Sequence, residues 1–239
     1  MEQSRKKFLK NFFIGATSVP LILQACKKDV TDDGSGDTGS GGSGSCTVAP
    51  TETEGPYPTL SPSSYVRSDI RDGRTGVLMT MNITIKNTNN SCAALAGAIV
   101  DVWHCDKDGN YSEYGAGYTS LHFLRGRQTT DANGLVSFTT IFPGWYTGRA
   151  THIHVHIYNA AGTSLKITQI SFPEGSGSGV ATVNSTAGQA YGYTKGMSGY
   201  TYATSDGIFS DDTALVEQAS VVGSLTGGYL LTHAINVAG

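Results

Sequence analysis

Hydrophobic and polar residues alternate along several stretches of the chain, the pattern of a β-strand with one buried face. The longest such stretch, Val77 to Lys86, alternates over ten residues. Further strands are predicted at residues 98–103, 136–141, 152–158, 166–172 and 229–237. Only residues 212–222 suggest a helix. Residues 175–202, rich in Gly, Ser and Tyr, are expected to form long surface loops.

Turn-forming pairs separate the predicted strands, among them Asp108-Gly109 and Pro143-Gly144. Frequent turns without crossover helices favour an all-β fold, an antiparallel β-sandwich of prealbumin- or immunoglobulin-like type with long active-site loops. The 31 glycines, 12 tyrosines and 15% charged residues agree with a turn-rich β protein. A net charge of −3 gives no support for a nucleic-acid partner.

The first 25 residues are predicted to be a lipoprotein signal peptide. Basic residues at positions 5, 6, 7 and 10 precede an apolar run from Phe12 to Leu23, which is too short to span a bilayer comfortably. The run ends in Leu23-Gln24-Ala25-Cys26, which resembles a bacterial lipobox and makes Cys26 the lipidation site. Residues 4–10 also resemble a twin-arginine signal with lysine as the second basic residue, so the export route stays open.

Residues 26–45, the lipidated cysteine and a Gly/Ser-rich linker, are expected to tether a domain that covers residues 46–239. Residues 1–25 contain four of the 16 basic and one of the 19 acidic residues, so their removal leaves 12 basic and 18 acidic residues. An acidic chain is not attracted to anionic headgroups, so the lipid would hold it to the membrane. We expect an exported protein anchored to the cell envelope, facing the periplasm or the cell surface. Its oligomeric state stays open.

Four cysteines are present in the chain. With Cys26 lipidated, three remain in an oxidising compartment. Cys46 and Cys92 flank strand-like segments and are the favoured disulfide. Cys105 follows Trp103-His104 and is interpreted as a buried thiol, although sequence alone leaves the pairing open.

The predicted strand at residues 152–158 carries the most informative pattern, because three histidines alternate with apolar residues. His152, His154 and His156 therefore share one face. Same-face neighbours are ~6.6 Å apart along a strand, close enough for two imidazoles to lean onto one metal ion. This strand is a candidate metal site.

Three other segments complete an ordered set of motifs: Thr53-Glu54-Gly55-Pro56-Tyr57, Trp103 to Tyr111, and Pro143-Gly144-Trp145-Tyr146. With Arg149, His152, His154 and the downstream Gln169, the set resembles the intradiol ring-cleavage dioxygenases, the family of protocatechuate 3,4-dioxygenase and catechol 1,2-dioxygenase. The resemblance runs from about Thr53 to Phe172 and weakly onward. The chain is closer to the stand-alone secreted members of that family.

The resemblance implies an enzyme, an oxidoreductase that incorporates both atoms of O2 into a catechol-type aromatic compound and opens its ring between the two hydroxyl-bearing carbons to give a cis,cis-muconate-type diacid. It implies one Fe(III) per chain, held by Tyr111, Tyr146, His152 and His154. Arg149 and Gln169 match catalytic residues at the substrate, and Tyr146 also acts as a base. Thr53 and Tyr57 match the segment that borders the substrate mouth.

The donor types agree with a trivalent ion on independent grounds. A phenol has an ordinary pKa near 10, so ionising each one at neutral pH costs ~4 kcal/mol. A hard trivalent cation can supply that by Coulomb attraction, and two phenolates with one hydroxide balance its charge. Zinc would leave a net negative site and prefers softer ligands.

Two other functions remain open at this level. One is a zinc or other divalent-metal hydrolase that uses His152 and His154, with or without Cys105. The other is a non-catalytic β-sandwich binding module that has lost the metal. One departure from the family pattern is the short segment of two residues between Tyr146 and Arg149, which makes the size of the substrate uncertain.

Overall fold

The computed structural model describes residues 46–239, which fold into two β-sheets with few helices. This confirms the predicted all-β sandwich. The predictions for the signal peptide, for Cys26 and for the linker lie outside the described residues. No helix within residues 46–239 has both the length and the apolar character to cross a bilayer.

Within residues 46–239, nine strands and one short α-helix make up the regular structure, besides several 3₁₀ turns. The elements are β1 (Leu78–Asn87), β2 (Ala93–Ala94), β3 (Ile99–Trp103), β4 (Arg125–Thr129), β5 (Leu135–Ile141), β6 (His152–Tyr158), β7 (Ser164–Ser171), α1 (Gly179–Val183), β8 (Ser220–Ser224) and β9 (Gly228–Val237). The six strands predicted from the alternation are therefore all present, and the bounds of β6 agree at both ends.

The first sheet is built around β1, which pairs with β2 and β5 on one side and with β9 on the other, and β9 also pairs with β8. The second sheet has the order β4-β3-β6-β7. All pairs are antiparallel except β1 with β9, which run parallel. The strand that carries the histidines is thus an inner strand of its sheet, fixed on both sides by hydrogen bonds.

The core lies between the two sheets and is formed by alternate residues of their inner faces. On β1, Met79, Met81, Ile83 and Ile85 are fully buried. On β6, Ile153, Val155 and Ile157 are equally buried and belong to the same core. Because side chains alternate along a strand, the histidines of β6 point out of this core and toward the opposite face.

Two local predictions were wrong. Residues 212–222 form no helix: Asp212 accepts the backbone N–H groups of Val216 and Glu217 at 2.8 Å, which closes a turn before β8. Residues 175–202 are only partly a surface loop. They include α1, and they bury Val183 and Tyr193 in the core.

The predicted disulfide between Cys46 and Cys92 is confirmed, with Cα atoms 5.7 Å apart and 46 positions between the two residues in sequence. Cys105 is a buried free thiol, as expected. The disulfide fixes the start of the N-terminal segment, residues 46–57. This segment continues to the histidine strand.

Removing the disulfide should lower stability. A Cys46→Ser/Cys92→Ser variant is expected to lose ~2–4 kcal/mol of unfolding free energy, because the cross-link closes a long loop in the unfolded chain. Urea denaturation followed by tryptophan fluorescence measures the loss. Wild-type protein unfolded with a thiol reductant should match the variant, and equal midpoints for oxidised wild-type protein and the variant would contradict the prediction.

Candidate metal centre

The outer face of β6 presents His152, His154 and His156, and all three imidazoles are largely buried. Their neighbours across the sheet are fixed by register: Trp103 of β3 and Gln169 of β7 flank His154. The indole of Trp103 stacks on the His154 ring, with centroids 5.0 Å apart and planes within 2°. Trp103 therefore packs against the site, in a small buried cluster with Cys105 and Tyr111.

The two candidate tyrosines arrive on loops. Tyr111 follows a turn after β3 in which Asp106 accepts the backbone N–H groups of Asp108 and Asn110 at 3.0 and 2.9 Å. Tyr146 follows β5 and Pro143-Gly144. The two loops touch at Gly144, where an added Cβ would lie 2.4 Å from the Lys107 carbonyl oxygen. This close approach requires glycine and fixes the two tyrosine-bearing loops against each other.

The four candidate ligand atoms converge on one point. The Nε2 atoms of His152 and His154 are 3.1 Å apart. The phenolic oxygens of Tyr111 and Tyr146 lie 3.2 and 3.4 Å from the same His152 nitrogen. Two ligands ~2.1 Å from a common ion, at angles between a right angle and a tetrahedral one, are separated by ~3.0–3.4 Å. The spacing therefore fits ligands that share one metal ion.

The hydrogen bonds of the histidines also fit a metal. Nδ1 of His152 lies 2.7 Å from the Ala150 carbonyl oxygen, to which it can only donate, so the lone pair of that ring is on Nε2. Nδ1 of His154 is buried and has no hydrogen-bond partner among the described residues. Burial lowers the pKa of His152 to about 3 and that of His154 well below its ordinary value. Both rings are therefore neutral donors at physiological pH.

The phenols need a cation to ionise here. Burial raises the pKa of Tyr111 well above its ordinary value of 10. Burial also raises the pKa of Tyr146, which the guanidinium of Arg149 partly counteracts. No carboxylate or thiolate joins this donor set: within residues 46–239, no group of three or more His, Cys, Asp or Glu side chains is placed to hold a metal. Two phenols and two imidazoles form a donor set that suits a hard, highly charged ion.

Arg149 is held beside the donor set by two partners. Its Nε donates to Asp206 at 2.9 Å, and its Nη2 donates to Oε1 of Gln169 at 2.6 Å. Gln169 is fully buried and donates in turn to the Thr53 carbonyl oxygen at 3.0 Å. The two predicted substrate-contacting residues thus form one hydrogen-bonded unit, and Arg149 pairs with neither Asp106 nor Asp108.

The N-terminal segment crosses the face of the site. Gly55 has φ +70°, and a Cβ there would lie 3.0 Å from Cε1 of His154, so the segment passes directly over that ring. The ring of Tyr57 stacks on that of Tyr111 at 4.7 Å. The Thr53 hydroxyl accepts the N–H of Gly55 at 3.0 Å, and its carbonyl holds Gln169. Thr53 and Tyr57 both border the site.

Several residues at the site carry no sequence signal. Asp206 is fully buried and holds Arg149, although 57 positions separate the two. Phe209 lies on the same C-terminal loop, with its ring 6.3 Å from that of His152. Arg125 is buried and donates to the Tyr57 carbonyl oxygen at 3.0 Å. Each reaches the site through loop topology, which local periodicity does not encode.

The remaining polar candidates are structural. His104 hydrogen-bonds Thr140 at 2.7 Å and the Cys105 carbonyl oxygen at 2.8 Å. Burial raises the pKa of the Cys105 thiol to about 12, so it stays protonated. His156 contacts Ser164 at 2.8 Å and Glu54 at 3.0 Å, away from the four converging donors.

The domain thus has two sheets, two imidazoles on an inner strand and two phenols on loops, which together form a candidate metal site with a Tyr₂His₂ donor set. The family model Dioxygenase_C, described as dioxygenase, matches residues 54–189, more than half of the chain. The chain belongs to the intradiol ring-cleavage dioxygenase family. This confirms the resemblance inferred from the motifs.

Relatives and solved structures agree with this assignment. The chain is 31% identical to chlorocatechol 1,2-dioxygenase of Rhodococcus opacus over 111 residues, 38% of this chain and 43% of the relative, so it matches less than half of that protein's length. An intradiol ring-cleavage dioxygenase from Tetranychus urticae superposes with a TM-score of 0.66 at 28% identity, over 80% of this chain and 95% of that chain. A dioxygenase domain from Streptomyces sp. SirexAA-E superposes with a TM-score of 0.57 at 25% identity, over 80% of this chain and 97% of that chain.

The contact at Gly144 gives a test of the loop arrangement. Gly144→Ala is expected to lower the unfolding free energy by ~1–3 kcal/mol, because the added methyl must displace the backbone of the Tyr111 loop. Gly207→Ala is the matched control: nothing lies within 4 Å of its added Cβ, and a change within ~0.5 kcal/mol is expected. Urea denaturation compares the two, and equal stabilities would show that the loops do not interlock at Gly144.

Proposed function

We propose that the protein is a non-haem Fe(III)-dependent intradiol dioxygenase that cleaves a catechol with O2. One O2 is consumed, the ring bond between the two hydroxyl-bearing carbons breaks, and each new carboxylic acid group of the cis,cis-muconate-type product receives one oxygen atom. The proposal rests above all on one convergence: Nε2 of His154 and the phenolic oxygens of Tyr111 and Tyr146 all lie 3.1–3.4 Å from Nε2 of His152. Family membership and the chlorocatechol 1,2-dioxygenase relative support it.

The donor set fits a ferric ion in charge and in hardness. Two phenolates and one hydroxide balance three positive charges, and two neutral imidazoles complete the set without adding charge. A bound Fe(III) would draw electron density from a chelated catechol dianion and thereby make a ring carbon reactive toward O2. One ion per chain is expected.

Residues of the chain itself would transfer a proton, stabilise charge and border the substrate entrance. Tyr146 is partly exposed whereas Tyr111 is 5% exposed, so Tyr146 is the phenolate that can move. We assign to its oxygen the role of taking a proton from an incoming catechol hydroxyl. Arg149 would stabilise negative charge that develops on the ring, and Gln169 fixes the guanidinium in place. Tyr57 and the backbone at Thr53 would border the entrance.

The decisive experiment is oxygen uptake by iron-loaded protein across a panel of catechols, with the product mass determined. A coloured protein whose absorption band shifts on adding catechol, with a product that has gained 32 mass units per O2 consumed, supports the proposal. A colourless protein with stoichiometric zinc would favour the hydrolase alternative. A protein that binds no metal would favour a binding module.

Tyr146→Phe should bleach or shift the visible band of the iron-loaded protein, because one phenolate donor is lost. It should lower kcat by ~10²–10⁴-fold, the usual contribution of a positioned base, with little effect on folding. Absorption spectra and oxygen-electrode rates measure the two effects. Tyr202→Phe, at an exposed position outside the donor set, is the control and should change neither. An unchanged spectrum for Tyr146→Phe would remove Tyr146 from the ligand set.

We also propose that the domain is exported and held at the cell envelope by a lipid on Cys26. The signal-like residues 1–25 and the Cys46–Cys92 disulfide, which requires an oxidising compartment, support this. Cys26→Ala should move the protein from the membrane fraction to the soluble fraction, measured by fractionation and immunoblot. Ser45→Ala in the same stretch should leave it with the membranes. Retention of the Cys26 variant by membranes would exclude the lipid anchor.

A further inference from the structure

Arg149 lies beside the donor set, and its Nε is already paired with a carboxylate. Its side chain is 16% exposed, and Nε lies 2.9 and 3.2 Å from the two carboxylate oxygens of Asp206. The Arg149 charge acts on both phenols and both imidazoles, which places it beside the space where a substrate ring would bind. Any charged group on that ring would meet the Arg149–Asp206 pair rather than a free cation.

Asp206 cannot swing away from this pair. Its side chain is fully buried, and its carboxylate also accepts the backbone N–H groups of Ala150 at 2.7 Å and Ile208 at 2.8 Å. These bonds fix the carboxylate between the segment that leads into β6 and the loop that carries Phe209. The negative charge is therefore a permanent part of the site wall.

Arg125 and Arg127 are also paired with carboxylates. Arg125 is buried, with Nε 3.4 Å from the buried carboxylate of Glu113. Arg127 makes two bonds to Asp101, at 2.5 and 2.6 Å. Neither guanidinium is free to receive an anionic ring substituent.

Two more carboxylates lie on the N-terminal segment beside the site. Glu54 is 41% exposed and sits on the segment that crosses His154. Glu52 lies on the same segment, close enough to Arg149 and Asp206 for their charges to affect its carboxyl, whose pKa is raised mainly by burial. A ring carboxylate beside Arg149 would thus lose water and find Arg125, Arg127 and Arg149 already paired with carboxylates, which is unfavourable.

We propose that Asp206 is a specificity-determining residue, which makes the site select catechols without an ionised ring substituent and reject those that carry a ring carboxylate. This inference rests on the proposed function, because it concerns the substrate of the same site. It adds a physical basis for the selection: the Asp206 carboxylate compensates the positive charge of Arg149, so the site prefers neutral catechols to carboxylated ones. Asp206 acts through Arg149 and is a positioning residue as well.

The test uses two probes of nearly equal shape that differ in charge, 3,4-dihydroxybenzoate and 3,4-dihydroxybenzamide. With iron-loaded wild-type protein, the amide should bind and turn over better than the carboxylate by roughly tenfold, the effect of about one unpaired charge at an intermediate dielectric. Kd from calorimetry and kcat/KM from oxygen uptake are both measured. Equal values for the two probes, or binding of neither, would overturn the proposal.

Asp206→Asn then tests the named residue. Removal of its charge leaves Arg149 unpaired, so the preference for the amide should fall by roughly tenfold, through Kd and KM of the carboxylate probe more than through kcat. Asp211→Asn is the matched control: it makes the same charge change at an exposed carboxylate on the same loop and should alter the preference less than twofold. An equal effect of both variants, or none for Asp206→Asn, would refute the role of Asp206.

If the Asp206 variant fails to fold, the salt dependence of the wild-type protein still tests the proposal. Higher ionic strength screens repulsion, so the gap between the two probes should narrow as salt is added. A gap that salt does not change would mean that shape, not charge, separates the probes and would overturn the proposal. If no catechol supports oxygen uptake but the two probes still differ in Kd as expected, the proposed function is contradicted and the selectivity proposal is not.

Discussion

The structure depends on the burial of four polar groups that satisfy one another poorly without an ion. The Nε2 atoms of His152 and His154 face each other at 3.1 Å, and Nδ1 of His154 has no partner among the described residues. Buried polar groups without partners are costly, and protonation of either ring is opposed by burial. A cation at the common point would be held by the two Nε2 atoms and would favour ionisation of both phenols. We therefore expect metal binding to stabilise the site.

The fold holds this arrangement in place before an ion arrives. The histidines lie on an inner strand whose inward residues belong to the main core, so neither ring can move without disturbing β6. Trp103 stacks on one of them, and Gly55 brings the N-terminal segment over the same ring. The tyrosines lie on loops, and Tyr146 is the more accessible of the two. Rigid nitrogen donors beside one more accessible oxygen donor suit the proposed site, where a substrate oxygen would replace that of Tyr146.

The strands and the four donors could be predicted because their signals are local. A period of two identifies β1 and β6 directly, and the motif spacing around Tyr111 and Tyr146 identifies the loops. β4 carries no such signal, since Arg125 and Gly126 are both buried inside it, and β8 is short and largely exposed. Asp206 and Phe209 reach the site from a C-terminal loop whose course depends on capping and packing. The helix expected at residues 212–222 was wrong for the same reason: the Asp212 carboxylate closes a turn there.

The proposed ring cleavage is compatible with the proposed location in an oxidising compartment outside the cytoplasm. Ring cleavage between the hydroxyl-bearing carbons needs O2 and no external reductant, so it can proceed outside the cytoplasm. The only free cysteine of residues 46–239 is Cys105, which is buried, and burial raises its pKa to about 12. A protonated, inaccessible thiol neither competes for the metal nor oxidises readily. The other two cysteines of this region are joined in the disulfide that fixes the segment crossing the site. An oxidising compartment would therefore preserve both the ferric state and the covalent link that holds this segment at its start.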